Sequence, residues 1–147
     1  GTISKGGRFL ERYLNIIGYT IIPENTNFQL IYSTDIVQCY PGRRPSGQKG
    51  DNVPIPREID NCRNWLHQEL SLFKPKVIIL FGGPAAKTFM KHYLNSDFTK
   101  LGDYYLNPRS YENADVFFLP HPTSYVVNKG LIFAETFKLI RNVLLEN

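Results

Sequence analysis

Five consecutive apolar residues, Val77-Ile78-Ile79-Leu80-Phe81, lie between Lys76 and a glycine pair. An uninterrupted apolar run of this length is typical of a strand that is covered on both faces in a parallel sheet. Gly82-Gly83-Pro84 follows at once, and apolar residues at helical spacing begin directly after it. This order of strand, glycine turn and helix predicts an α/β fold with the strand near the centre of its sheet.

The rest of the chain alternates between helix and strand patterns in the same way. We therefore expect a three-layer α/β/α sandwich around a mostly parallel sheet, formed by a single domain across residues 1–147. The predicted helices cover residues 7–17, 56–73, 85–93 and a last segment that includes 133–144. The predicted strands cover residues 28–39, 77–81 and 116–119, with a short strand at 104–106 in an otherwise irregular stretch from 95 to 113.

Composition and charge narrow the functional classes. The 147 residues include 17 Lys and Arg against 13 Asp and Glu, a formal charge of +4. A basic chain favours a polyanion as partner, although solvated surface charge alone explains such a balance equally well. No apolar run approaches the roughly 20 residues that a membrane span needs. We expect a cytoplasmic protein, associated with the nucleoid of a prokaryote or with a virus, and make no prediction of its oligomeric state.

Residues that can carry chemistry follow the predicted strands. In parallel sheets ligands bind beyond the carboxyl ends of the strands, where residues 34–41, 82–84 and 121–122 are expected. His121 lies between Pro120 and Pro122, and proline restricts both its own backbone and that of the preceding residue. The imidazole therefore has a nearly fixed direction. That suits either a catalytic donor or a purely structural turn.

The chain has two cysteines, Cys39 at the end of a predicted strand and Cys62 on the inward face of the next helix. Two such thiols are most often core residues in a cytosolic protein. The alternative is a metal site, but iron-sulfur clusters commonly take four Cys ligands, so these two do not complete one.

Five motifs in order resemble the iron-sulfur-containing uracil-DNA glycosylases of bacteria and archaea, often called family 4. That family has a Gly-Arg-Leu-Leu-Asp helix, a Thr-Asn-Val-Val-Lys-Cys-Arg-Pro strand end, a Cys-x-x-Trp-Leu helix, a Pro-Lys-Val-Ile strand before Gly and Ala, and a final His-Pro-Ser. The matching stretches here begin at Gly7, Thr34, Cys62, Pro75 and His121, and they span nearly the whole chain.

This resemblance implies a role for each matching residue. His121 is expected to stabilise negative charge on the departing uracil, and Asp35 with Thr34 to recognise the base. Cys39 and Cys62 are expected to be two ligands of a [4Fe-4S] cluster whose other ligands precede Gly1. The partner is expected to be DNA that contains uracil or another damaged base. The residues expected to contact this DNA are Arg43, Arg44, Lys49, Pro122, Thr123 and Lys129.

The chain also departs from the family pattern. The family's first strand and its Gly-rich first motif, with the acidic residues that help to position the attacking water, are expected to precede this sequence. Asp35 occupies the place of an Asn, and an ionised Asp only accepts hydrogen bonds whereas an Asn amide also donates. Two alternatives stay open. One is an inactive glycosylase-like domain that binds DNA or a protein, and the other is a nucleotide-binding protein with a phosphate site at residues 82–84.

Overall fold

The computed structural model describes residues 3–38, 42, 45, 47–48 and 52–146. The chain divides into two compact units, a larger one of Gly1–Tyr32 with Pro75–Asn147 and a smaller one of Ser33–Lys74. The expectation of a single domain stays a prediction. The elements are α1 (Lys5–Ile16), β1 (Tyr19–Thr20), β2 (Gln29–Leu30), α2 (Pro56–Phe73), β3 (Val77–Phe81), α3 (Gly83–Tyr93), a 3-10 helix (Leu101–Tyr104), β4 (Arg109–Tyr111), β5 (Ala114–Leu119) and α4 (Lys129–Leu145).

The main sheet of the larger unit has the strand order β3-β5-β4. β3 pairs with β5 in parallel, with Phe81 opposite Leu119, and β4 pairs with β5 in the antiparallel sense. The apolar run at residues 77–81 is thus a strand that leads directly into a helix, as predicted. A second, two-stranded parallel sheet of β1 and β2 lies beside α1.

One face of the main sheet packs on α1 and α4. Side chains alternate along a strand, so Phe117 and Leu119 of β5 point to the same side. They are buried in a cluster with Leu10 and Leu14 of α1 and with residues of α4. The α4 members of this cluster are Phe133, Phe137 and Ile140.

The opposite face is covered by α3 and the 3-10 helix. Phe118 of β5 contacts the ring of Tyr104, with ring centroids 5.1 Å apart. Tyr111 pairs with Ala114, which lies on the same face as Phe118, and its ring meets Phe89 of α3 edge-on. With helices on both faces of the sheet, the α/β prediction is confirmed.

The predicted strand over residues 28–39 is wrong for most of its length. Within the described residues 28–38 only Gln29–Leu30 forms a strand, and the Leu30 side chain is 57% exposed. β-branched and aromatic residues favour extended backbone, but a strand also needs a partner. β1 offers only two residues, and the Ile31 N–H makes the last contact with it, at the Thr20 carbonyl.

The short strand predicted at residues 104–106 is also wrong. Tyr104 ends the 3-10 helix, and Leu106 has a φ of 57°, which a strand does not allow. The strand of this region is β4, in the stretch that was expected to be irregular. Its pairing with β5 is a tertiary contact that composition does not reveal. Among the described residues no helix is long and apolar enough to cross a membrane.

Candidate functional site

The carboxyl ends of β3 and β5 meet at one edge of the main sheet. The Gly82 N–H donates to the Leu119 carbonyl at 2.9 Å, directly after the two strands. Gly82 has a φ of 89°, in the left-handed region, and a Cβ at this position would lie 3.8 Å from the His121 Cβ. The structure therefore places the glycine turn and His121 side by side, where the sequence predicted them.

His121 is held by the turn that follows it. In the His121 turn, residues 120–125, the Thr123 N–H donates to the His121 Nδ1 at 3.2 Å, and the Thr123 Oγ1 lies 2.7 Å from the same nitrogen. Because a backbone N–H only donates, Nδ1 is an acceptor and the neutral ring carries its proton on Nε2. The exposed imidazole thus presents an N–H donor beyond the sheet edge.

Lys129 anchors the same turn. Its ammonium donates to the Pro122 carbonyl at 2.7 Å and to the Ser124 carbonyl at 2.8 Å. It also lies 4.6 Å from the centre of the Phe9 ring, a cation-π contact with α1. An ammonium has three donors, and two of them are used here. Lys129 therefore fixes the His121 turn, and the DNA contact expected for it stays a prediction.

Gly6 brings α1 against the same turn. A Cβ on Gly6 would lie 2.5 Å from the Thr123 Cγ2, closer than such atoms approach in proteins. Any larger residue would push Thr123 away, and with it the hydroxyl that contacts the His121 Nδ1. The close packing of helix and turn thus depends on a residue without a side chain.

A groove of about 730 Å³ runs between α1 and the His121 turn. We call it the α1 groove. Its cationic lining residues are Lys5, Arg8, Arg12 and Lys129, and its apolar lining residues are Ile3, Phe9, Ile22 and Pro122. Tyr125 lies at its rim and is 94% exposed. The groove thus combines positive charge with apolar and aromatic surface.

Glu11 is the one carboxylate that lines this groove. Burial raises its pKa, but hydrogen bonds from the Ile21 N–H at 2.9 Å and the Thr20 hydroxyl at 2.6 Å outweigh that effect. The pKa of Glu11 is therefore lowered from its ordinary value of 4.5. Its oxygens are occupied by β1 and the residue after it, so Glu11 joins α1 to the small sheet.

The smaller unit contains the residues predicted to read the base. Residues 33–38, here called the Thr34 segment, are held by Glu69 of α2. Its carboxylate accepts from the Thr34 hydroxyl at 2.9 Å and from the Gln38 amide at 2.7 Å. Asp35 lies between these two contacts, and its side chain is exposed.

Of the two predicted cluster ligands, the structure describes Cys62. Cys62 is 4% exposed, on the inward side of α2, as the helical pattern predicted. Cys39 lies outside the described residues, as do Arg43, Arg44 and Lys49. Within the described part of the chain no three or more His, Cys, Asp or Glu side chains gather as metal ligands. The described residues therefore do not form a cluster site by themselves.

Comparison with known proteins decides the family. Residues 4–145 match the Uracil DNA glycosylase superfamily. The chain belongs to the uracil-DNA glycosylase superfamily. A stretch of 68 residues is 26% identical to the Type-5 uracil-DNA glycosylase of Pyrobaculum aerophilum. This stretch is 46% of the present chain and 26% of that relative, so the match covers about a quarter of the relative's length.

Three residues of this superfamily member position the site and were missed in the sequence. Gly6 is part of a Gly6-Gly7 pair at the start of a helix. Such a pair indicates close packing but does not reveal which segment packs there. Nothing in the sequence reveals the hydrogen-bond donors of Glu11 and Glu69. The structure brings together His121, Pro122, Thr123 and Lys129, whereas Thr34, Asp35 and Cys62 belong to the smaller unit.

Proposed function

We propose that this protein is a DNA glycosylase that hydrolyses the N-glycosidic bond of uracil or a related damaged base, in base-excision repair. Membership of the superfamily supports the reaction class. The observation that carries the proposal is the geometry of His121. His121 lies just after a buried strand, and its Nδ1 accepts from the Thr123 N–H, which leaves Nε2–H as the donor of an exposed side chain.

A fixed neutral donor suits this reaction. Breaking the bond between the sugar and the base leaves the bonding electron pair on the base, so negative charge grows there while water adds to the sugar carbon. A donor held near a base oxygen stabilises that charge without reorganising during the reaction. A base inside a duplex must also leave the stack, which costs roughly a few kcal/mol. We propose that His121 is the donor.

Asp35 and Thr34 are proposed to recognise the base. The Thr34 hydroxyl donates to Glu69, and its oxygen accepts from the Gln38 amide at 3.1 Å, so only one further acceptor position is left for a base. An ionised Asp35 also only accepts. Together they favour a base that offers N–H groups and disfavour one that presents a carbonyl oxygen. This chemistry favours a related damaged base over uracil.

The remaining DNA contacts are proposed for Pro122 and Thr123 of the His121 turn and for Arg43, Arg44 and Lys49. Lys129 is proposed to act on DNA indirectly, since its ammonium holds two carbonyls of the turn. Fixing the turn lets its backbone and the Thr123 side chain contact the DNA backbone in one orientation. Contacts to DNA phosphates set the register of a protein on DNA.

We also propose a [4Fe-4S] cluster with Cys39 and Cys62 as two of its four ligands. The burial of Cys62 is compatible with a ligand, since clusters lie away from bulk solvent in many proteins, and equally compatible with a core thiol. Iron and sulfide analysis of anaerobically purified protein tests the cofactor. A Cys62→Ser variant that keeps the wild-type iron content would contradict the assignment.

Cleavage of oligonucleotides that contain one uracil, single-stranded or paired with guanine, tests the function. His121→Ala is expected to lower the rate by about 10²- to 10³-fold, the usual effect of removing one preorganised donor. Asp35→Asn restores an amide at the base-reading position and is expected to raise activity on uracil. Thermal melting of each variant checks that it is folded.

The cleavage results distinguish an active glycosylase from an inactive glycosylase-like domain that binds DNA. If wild type and Asp35→Asn are both inert on every base tested, while the protein still binds DNA, it is a glycosylase-like binding domain. Asp35, at the place where the family has an amide, is the feature that favours this second function.

A further inference from the structure

Three cations of α1 face the same groove. Lys5, Arg8 and Arg12 are spaced by three and four residues, so they lie along one side of the helix, and all three are exposed and line the α1 groove. Arg8 donates to the Ile3 carbonyl through Nη1, and Arg12 lies 5.6 Å from the centre of the Phe9 ring. Both guanidinium groups keep further N–H donors for a ligand.

The Glu11 carboxylate that lines the groove is already hydrogen-bonded within the protein. Glu11 accepts from the Thr20 hydroxyl and the Ile21 N–H, so its oxygens are turned toward its own chain. Lys129 is likewise occupied by the Pro122 and Ser124 carbonyls. Lys129 keeps only one N–H donor, whereas the three cations of α1 keep most of theirs and match successive negative charges along a chain.

An aromatic residue at the rim adds a second kind of contact. Tyr125 is 94% exposed and is the last residue of the His121 turn, directly after Ser124, whose carbonyl Lys129 binds. Single-stranded nucleic acids are bound where a cationic groove follows the phosphates and aromatic side chains stack on unpaired bases. The groove volume of about 730 Å³ lies within the roughly 300–1,000 Å³ of pockets that hold ligands of nucleotide size.

We propose that the α1 groove binds a single-stranded segment of DNA, with Lys5, Arg8 and Arg12 on its phosphates and Tyr125 stacked on a base. The proposal rests on the proposed function for its choice of DNA as the polyanion. It adds a DNA-binding site on α1 to the DNA contacts proposed for the His121 turn. The site would hold unpaired nucleotides beside the one that is cleaved.

Fluorescence anisotropy with a labelled oligothymidine tests the site, because this DNA has no uracil and binding is read without catalysis. The groove variant is Lys5→Gln/Arg12→Gln, and the matched control is Lys87→Gln/Arg141→Gln, which removes one Lys and one Arg from exposed positions on α3 and α4. Losing two phosphate contacts lowers the slope of log affinity against log salt by about 1.4, at about 0.7 per contact for single strands.

We expect the groove variant to bind about tenfold more weakly at low salt, while the control retains wild-type affinity and slope. Tyr125→Ala is expected to lower affinity by about tenfold with no change of slope, because stacking carries no charge, and Tyr125→Phe is expected to bind like wild type. Melting temperatures verify that each variant is folded.

Equal binding by the groove and control variants would overturn the proposal. So would competition by thymidine monophosphate or inorganic phosphate as strong as competition by the oligomer, since the groove would then be a small-anion site. An equal loss on a thymine-adenine duplex would remove the preference for single strands. These binding measurements can be made even if the protein does not cleave uracil-containing DNA. The proposed function and the proposed DNA site on α1 can therefore be rejected independently.

Discussion

The His121 turn and the Thr34 segment both carry proposed site residues, but they are held in different ways. The His121 turn continues a strand that is buried on both faces, and its main chain is bound by Lys129 and by its own Ser124 N–H. The Thr34 segment contains no strand, its contact residues are exposed, and one carboxylate, that of Glu69, accepts from two of its side chains.

This difference has a consequence for mutation. A turn whose own main chain is bound at several points keeps its course when one of its exposed side chains changes, and it fails when a neighbouring backbone is forced against it. A segment fixed by side chains depends on the single residue that binds them. The first two predictions below test this contrast, and the third tests how α1, which packs against the His121 turn, is joined to the small sheet. They run from the largest expected effect to the smallest.

Gly6→Ala is expected to lower the rate of base cleavage by roughly 10²-fold, the effect of a misplacement of about 1 Å in an active site. The added Cβ would lie 2.5 Å from the Thr123 Cγ2, and moving Thr123 shifts its contacts with the His121 Nδ1. Single-turnover kinetics on a uracil oligonucleotide measures the rate.

Thr123→Ser provides the rescue for this variant. Serine lacks the Cγ2 methyl but keeps the hydroxyl that contacts His121. The double variant Gly6→Ala/Thr123→Ser should regain most of the lost rate, and Thr123→Ser alone should be close to wild type. A double variant as slow as Gly6→Ala would show that the methyl contact is not what positions His121.

Glu69→Ala is expected to loosen the Thr34 segment and leave the His121 turn unchanged. The Thr34 hydroxyl and the Gln38 amide lose their acceptor, at a cost of about 1–2 kcal/mol for two exposed hydrogen bonds. Hydrogen exchange followed by mass spectrometry should speed up in peptides that contain residues 33–38. Gln68→Ala on the same helix is the control, and faster exchange in that variant too would point to a general weakening of α2.

Glu11→Gln is expected to remove a pH dependence from the stability of the larger unit. The pKa of Glu11 is lowered in the folded protein, so the unfolded chain binds more protons between the two pKa values. Its stabilisation is present above 4.5, the ordinary pKa, and is lost as the pH falls through the lower folded value.

Urea unfolding at several pH values measures this effect. At neutral pH the variant should be about 1 kcal/mol less stable, because an amide oxygen replaces a carboxylate that accepts from Thr20 and Ile21. The difference in free energy of unfolding between wild type and variant should disappear at acidic pH. A gap that stays constant down to pH values below the folded pKa would contradict the role of ionised Glu11.

Sequence patterns predicted the fold best where side-chain burial alone sets the structure. The apolar runs at β3 and β5 and the amphipathic pattern of α1 each formed the predicted element. The pattern failed at residues 31–38, where β-branched residues lack a partner strand, and at β4, whose exposed residues carry no apolar signal. Strand formation depends on a neighbour, and a local pattern does not report the neighbour.

The sequence by itself determined the four helices, the strands β3 and β5, the placement of His121 at a strand end and the proline restraints around it, because these follow from local sterics and hydrophobic periodicity. Only the tertiary structure decided the proton position on the His121 ring, the use of Lys129 as an anchor and the need for Gly6. The need for Gly6 depends on a contact between α1 and the His121 turn, which are far apart in the chain, and the other two on hydrogen bonds that form only when residues 121–129 are folded.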